Sequence, residues 1–79
     1  MISAYILANV ETGADRKVFR DIKKLPGVNK VSMTFGTYDL CIEVSFKTME
    51  ELDEFVFDKL RKTPKITQTV TVICSKTIT

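Results

Sequence analysis

Few side chains in this sequence can do chemistry. Asp39 follows Tyr38 in the run Phe35-Gly36-Thr37-Tyr38-Asp39-Leu40, a carboxylate set among residues that favour extended backbone. Aspartate is depleted in strand interiors, so its presence there needs a reason. Gly36 supplies a residue free to take positive φ and to let a ligand approach the backbone. Together they mark the tip of a β-hairpin as the candidate wall of a small-ligand pocket. The plain alternative is an aspartate that satisfies N–H groups of its own turn. Catalysis has little to work with. There is no histidine, so acid or base duty would fall to Asp39, Glu43, Tyr38 or a cysteine, and no nucleophile–base pair is visible. Cys41 and Cys74 form no CxxC, which leaves zinc and redox chemistry unsupported. Both lie in apolar runs and read as small buried hydrophobes, with a bridge between them left open.

The elements that must position this tip follow from periodicity. Residues Ile2 to Val10 alternate, with Ala4, Ile6, Ala8 and Val10 on one face and Ser3, Tyr5, Leu7 and Asn9 on the other. Thr12 and Asp15 read as a helix start, and Val18, Ile22 and Leu25 repeat at helical spacing over Ala14 to Leu25. Arg16, Lys17, Arg20, Lys23 and Lys24 form the outer face of that helix, either solvated or offered to an acidic partner. Pro26-Gly27 ends it. Val28 to Phe35 and Tyr38 to Phe46 are then two strands of a hairpin. Thr48 with Glu51 is a capping box opening a second helix to about Lys62, with Met49, Leu52, Phe55, Val56 and Leu60 as its buried stripe. Thr63-Pro64 stops it. Ile66 to Cys74 forms a last strand, with Ile66, Val70, Val72 and Cys74 on one face and Thr67, Thr69, Thr71, Ile73 and Ser75 on the other. The tail Lys76 to Thr79 frays or extends it. The order β-α-β-β-α-β predicts an α+β ferredoxin-like sandwich over residues 1–79, a four-stranded antiparallel sheet with both helices on one face.

Seventy-nine residues make one small domain, for which self-association is a usual source of extra buried area. Twelve basic and ten acidic residues are interleaved, for a net charge of +2, so no nucleic-acid footprint stands out. No apolar run is long enough to span a membrane and the N-terminus reads as a strand, which makes a cytoplasmic protein the expectation. The face expected to stay open carries Tyr5, Leu7, Cys41 and Ile73 among Ser3, Asn9, Asp39, Glu43, Thr69 and Thr71. Such a patch favours packing against a second copy as an isologous dimer, and the seam makes a pocket.

The hairpin string at Gly36–Leu40, following Leu25-Pro26-Gly27-Val28, together with Thr69-x-Thr71 in the last strand, resembles the RAM domain (regulation of amino-acid metabolism) of Lrp/AsnC transcription regulators. The likeness spans nearly the whole chain. It departs at Lys65, where the family usually repeats glycine. The sequence starts at the first RAM strand, with no helix-turn-helix before it, so it resembles a stand-alone RAM protein that does not read DNA itself. The resemblance implies dimers assembling further, commonly to octamers, co-assembly with full-length relatives, and a free amino acid bound between subunits. It implies no cofactor. The implied ligand residues are Gly36, Thr37, Tyr38, Asp39, Thr69 and Thr71. Chemically, Asp39 suits an ammonium, N–H groups near Gly36 and Thr37 suit a carboxylate, and either threonine hydroxyl can donate or accept. An ACT-like domain, with its ligand glycine at Gly13, is the runner-up. A module that only assembles, a small dimeric enzyme and an RNA-recognition module share the topology, the last lacking the aromatics it needs beyond Tyr5.

Overall fold

The computed structural model describes residues 1–74. Ser75 and the tail 76–79, to which the sequence assigned a strand face and an extension, lie outside the described residues. Strand β1 (Ile2–Val10) is followed by α1 (Asp15–Lys23), β2 (Val28–Met33), β3 (Leu40–Phe46), α2 (Met49–Glu54) running on into a π-helical segment (Phe55–Leu60), and β4 (Ile66–Ile73). The strands form one four-stranded sheet in the order β2-β3-β1-β4, every neighbouring pair antiparallel. The expected β-α-β-β-α-β sandwich is therefore present, with β1 and β3 at its centre.

Alternation explains the core. Ala4, Ile6 and Ala8 of β1 and Leu40, Ile42 and Val44 of β3 are buried on one sheet face. Val18 and Ile22 of α1 and Leu52, Phe55, Val56 and Leu60 of the second helix join them in one cluster, so both helices cover that face. Each large aliphatic or aromatic side chain buried this way contributes roughly 1.5–3 kcal/mol, the main favourable term in a domain of this size.

The helix ends are partly as predicted. Thr48 caps α2, its Oγ1 accepting from the Glu51 N–H at 3.2 Å, while Glu51 Oε2 accepts from the Lys47 N–H at 3.3 Å. Thr12 does not cap α1. Gly13 turns the chain at φ 82° and Ala14 takes the cap position without a side-chain bond. The π winding, in which the Arg61 N–H reaches the Val56 carbonyl at 3.0 Å, has no signature in the sequence. Cys41 is half-buried and Cys74 exposed, not the buried pair expected, and no disulfide joins them. Among the described residues no helix is long and apolar enough to cross a membrane, and no group of three or more acidic, cysteine or histidine residues could hold a metal.

The last strand corrects the facial assignment. Asn9 pairs with Gln68 but Val10 with Ile66, so Thr67 is an extra residue in a bulge. One extra residue reverses every side chain beyond it. Ile66 packs on the core, but Thr69, Thr71 and Ile73 lie opposite Ala8, Ile6 and Ala4 and so face the helices. Val70 and Val72, opposite Leu7 and Tyr5, take the open face instead.

Lys65 adopts φ 76°, the left-handed conformation that Gly27 adopts at φ 90° in the matching turn. A side chain there costs about 1 kcal/mol. The turn is tied to Glu11, whose N–H donates to the Lys65 carbonyl at 2.9 Å, while the side chain makes a 3.9 Å ion pair with Glu11, both partners about half exposed, a contact worth little. Lys65→Gly is expected to raise the unfolding free energy by about 0.5–1 kcal/mol, measured by urea titration. A loss of stability would mean that the lysine stem holds the turn.

Candidate functional site

Because β1 and β3 run antiparallel, the end of β1 lies beside the start of β3. The β1–α1 loop and the β2–β3 hairpin loop therefore meet at one end of the sheet. Between them lies a groove of about 690 Å³, lined from one side by Val10, Glu11, Thr12, Gly13 and Asp15 and from the other by Met33, Thr34, Phe35 and Asp39.

Asp39 is fastened in this groove. The strands of the hairpin stop at Met33 and restart at Leu40, shorter than the sequence suggested, so Asp39 sits in the loop and not inside a strand. Its N–H donates to the Ala8 carbonyl at 3.0 Å and its carbonyl accepts from the Thr34 N–H at 2.9 Å. Its Oδ2 accepts from the N–H of Val10 at 2.9 Å, across to the neighbouring strand. The expectation that Asp39 points onto the open sheet face is thus corrected: freed from the pleat, it turns to the end of the sheet. Its Oδ1 has no protein donor among the described residues. With Glu11 and Asp15 on the same groove, the local charge is negative and suits a cationic group.

The other predicted residues are placed unevenly. Gly36 takes φ 111° with nothing within 4 Å of where a Cβ would stand, so it serves the turn and not a close contact. Thr37 is exposed beside it and Tyr38 is half-buried, its carbonyl accepting from Thr34 Oγ1 at 2.7 Å. The N–H groups of Gly36 and Thr37 have no protein acceptor among the described residues, but neither these residues nor Tyr38 line the groove that Asp39 faces. Thr69 and Thr71 line a different hollow of about 310 Å³ with Val56, Phe57 and Arg61, on the helix side. One chain therefore does not bring the threonines to Asp39. Glu11, Asp15 and Met33 were missed, although the topology alone puts their loops together. Gly13, singled out for the ACT-like reading, lines the same groove as Asp39, so the two readings share one location.

The open sheet face presents Tyr5, Leu7, Cys41, Val70 and Val72, bordered by Ser3, Asn9, Glu43 and Gln68. Tyr5 and Val72 are 44% and 50% exposed.

The model of the Lrp/AsnC ligand-binding domain matches residues 3–79. The chain belongs to the Lrp/AsnC ligand-binding domain family. It is 34% identical over 79 residues to an uncharacterized HTH-type transcriptional regulator of Pyrococcus abyssi, the match covering 96% of this chain and 53% of the relative. The Lrp/AsnC-type chain described here thus spans about half the length of that regulator. The crystal structure of FFRP-DM1 superposes with a TM-score of 0.90 at 35% identity, covering 94% of this chain and 99% of that one. A Neisseria meningitidis transcriptional regulator, solved as an L-Met complex, has the same fold with a TM-score of 0.89 at 21% identity, covering 99% of this chain and 52% of that one.

Proposed function

We propose that this Lrp/AsnC-type domain binds a free amino acid at the Asp39 groove and couples that binding to self-association, tuning transcription regulators of its family. The observation that carries the reading is the Asp39 carboxylate, with Oδ2 spent on Val10 and Oδ1 left open in an acidic groove. An α-ammonium fits that oxygen, while the unpaired N–H groups of Gly36 and Thr37, which would suit an α-carboxylate, stand outside the groove lining within one chain. The L-Met complex of the Neisseria regulator supports the ligand class. Thr69 and Thr71 enter the site in this reading only from a neighbouring subunit, since within one chain they lie on another hollow. The role is regulatory and not enzymatic, in keeping with relatives named as transcriptional regulators. The location follows the family, in the cytoplasm, and contact with DNA is left to full-length relatives with which this domain co-assembles.

Isothermal titration of the purified protein with each of the twenty amino acids tests the ligand. Saturable heat with one or a few of them is expected, and no heat with any would reduce the domain to an assembly module.

The open sheet face is the proposed dimer seam. Leu7→Glu places a carboxylate in its middle without touching the core, since the Leu7 side chain points away from it. Sedimentation velocity at about 1 M salt, where the Debye length of roughly 3 Å screens charge-driven contacts, should show a monomer with an unchanged circular dichroism spectrum. A folded variant that still dimerises would rule out this seam.

A further inference from the structure

Charges of opposite sign stand on the two sides of Met33. On one side Met33 lines the Asp39 groove, and on the other it lines a cleft of about 280 Å³ with Arg16, Phe19 and Arg20. Met33 is 49% exposed, because it ends the edge strand β2. Groove and cleft are therefore adjoining compartments with a thioether between them.

Arg16 and Arg20 lie four residues apart on α1, so their side chains share one helix face. Among the described residues neither guanidinium has an ion pair or a hydrogen bond. Arg16 also stands in the first turn of the helix, where the backbone dipole favours an anion over a cation. The Lys23 ammonium, 5.7 Å from the Phe19 ring centroid, adds to the same positive field. A guanidinium lies well on an aromatic or thioether floor, and its outer N–H groups then remain free for a carboxylate.

The groove side differs. Glu11 is opposed by Lys65 at 3.9 Å, and Asp15 complements the positive end of α1. Asp39 keeps its Oδ1 open. Of the charges lining the two compartments, those left unanswered are thus one carboxylate and two guanidiniums. Their complement is a ligand with one ammonium and two carboxylates, carrying one net negative charge.

We propose that the effector is an amino acid with a side-chain carboxylate, of the glutamate class, and that Arg16 and Arg20 select it. The inference rests on the reading of the Asp39 groove as the amino-acid site. The α-ammonium meets Asp39, the side-chain methylenes cross Met33, and the carboxylate is taken by the guanidiniums, whose fork geometry matches it. Specificity then has both signs: the arginines attract a second carboxylate and repel the ammonium of a basic side chain laid across Met33.

Calorimetric titration of the full chain with glutamate, its neutral isostere glutamine, and lysine tests this. Glutamate is expected to bind roughly tenfold more tightly than glutamine, the lower end for charge-assisted hydrogen bonds because the arginines are exposed. Lysine should bind more weakly than glutamine. Arg16→Gln/Arg20→Gln should bind glutamine as the parent does and lose the preference for glutamate, a selective change that general damage to the fold would not produce. Glutamine or lysine bound as tightly as glutamate, with the binding lost in Asp39→Asn, would overturn this inference and leave the groove reading standing. A glutamate preference that survives in the double variant would overturn it as well. No heat with any of the three, or glutamate binding that is indifferent to Asp39→Asn, would overturn the inference together with the groove reading beneath it.

Discussion

Gly27→Ala is expected to lower the unfolding free energy by about 2–4 kcal/mol. Two effects add at this position. Gly27 has φ 90°, where a Cβ costs about 1–2 kcal/mol. The added methyl would also meet the ring of Phe46 at Cε1 and Cζ, far inside contact distance. The ring cannot retreat freely, because it packs against the buried Phe55 with centroids 5.2 Å apart, and overpacking of that kind costs about 1–3 kcal/mol. A domain of this length has a total stability on the order of 4–12 kcal/mol. The thermal midpoint should therefore fall by on the order of 10–20 °C, read by circular dichroism. Gly13→Ala is the control. It shares the positive φ, at 82°, but has nothing within 4 Å of its Cβ position, so only the backbone cost of about 1 kcal/mol should appear. Equal losses at the two positions would show that Phe46 moves aside without resistance.

Asp39 is expected to separate two roles that its carboxylate combines. Asp39→Asn keeps an amide oxygen able to accept from the Val10 N–H, the 2.9 Å bond that fastens the hairpin loop to β1. Its melting temperature should stay within a few degrees of the parent, yet affinity for an amino acid should drop by about 10–100-fold, the range of a charge-assisted hydrogen bond of roughly 1.5–3 kcal/mol. Asp39→Ala also leaves the part-buried Val10 N–H without its acceptor, a further cost of about 1–3 kcal/mol in stability. Calorimetric titration and urea unfolding of both variants give the two quantities independently. An asparagine variant that binds as tightly as the parent would leave Asp39 as a structural fastening alone.

Much of the fold was legible because its signals are local. The alternation in β1, the helical repeat of Val18 and Ile22, the Pro26-Gly27 stop and the Thr48–Glu51 cap each act over a few residues, and the structure carries all of them, with α1 ending at Lys23 and Leu25 packing on the core from just beyond it. The errors arose where a distant partner decides. Thr69 and Thr71 were assigned to the open face from the pattern of β4 by itself. That pattern is ambiguous, because Val70 and Val72 match a core face as well as a dimer seam, and only pairing with β1 reveals the bulge at Thr67. Thr12 looked like a cap, but the left-handed turn at Gly13 passes that position to Ala14.

The candidate site divides along the same line. The sequence alone determined that a carboxylate and a flexible glycine stand together at a hairpin tip, and that the fold has a bare sheet face. Residue type and short-range periodicity are properties of the chain as written, so they need no partner. What Asp39 faces was decided by tertiary structure. Its Oδ2 is held by Val10 from another strand, and its groove is completed by Glu11 and Gly13 of the β1–α1 loop and by Asp15 at the start of α1. Antiparallel pairing of β1 and β3 brings these loops together, and pairing is set by burial of the whole core.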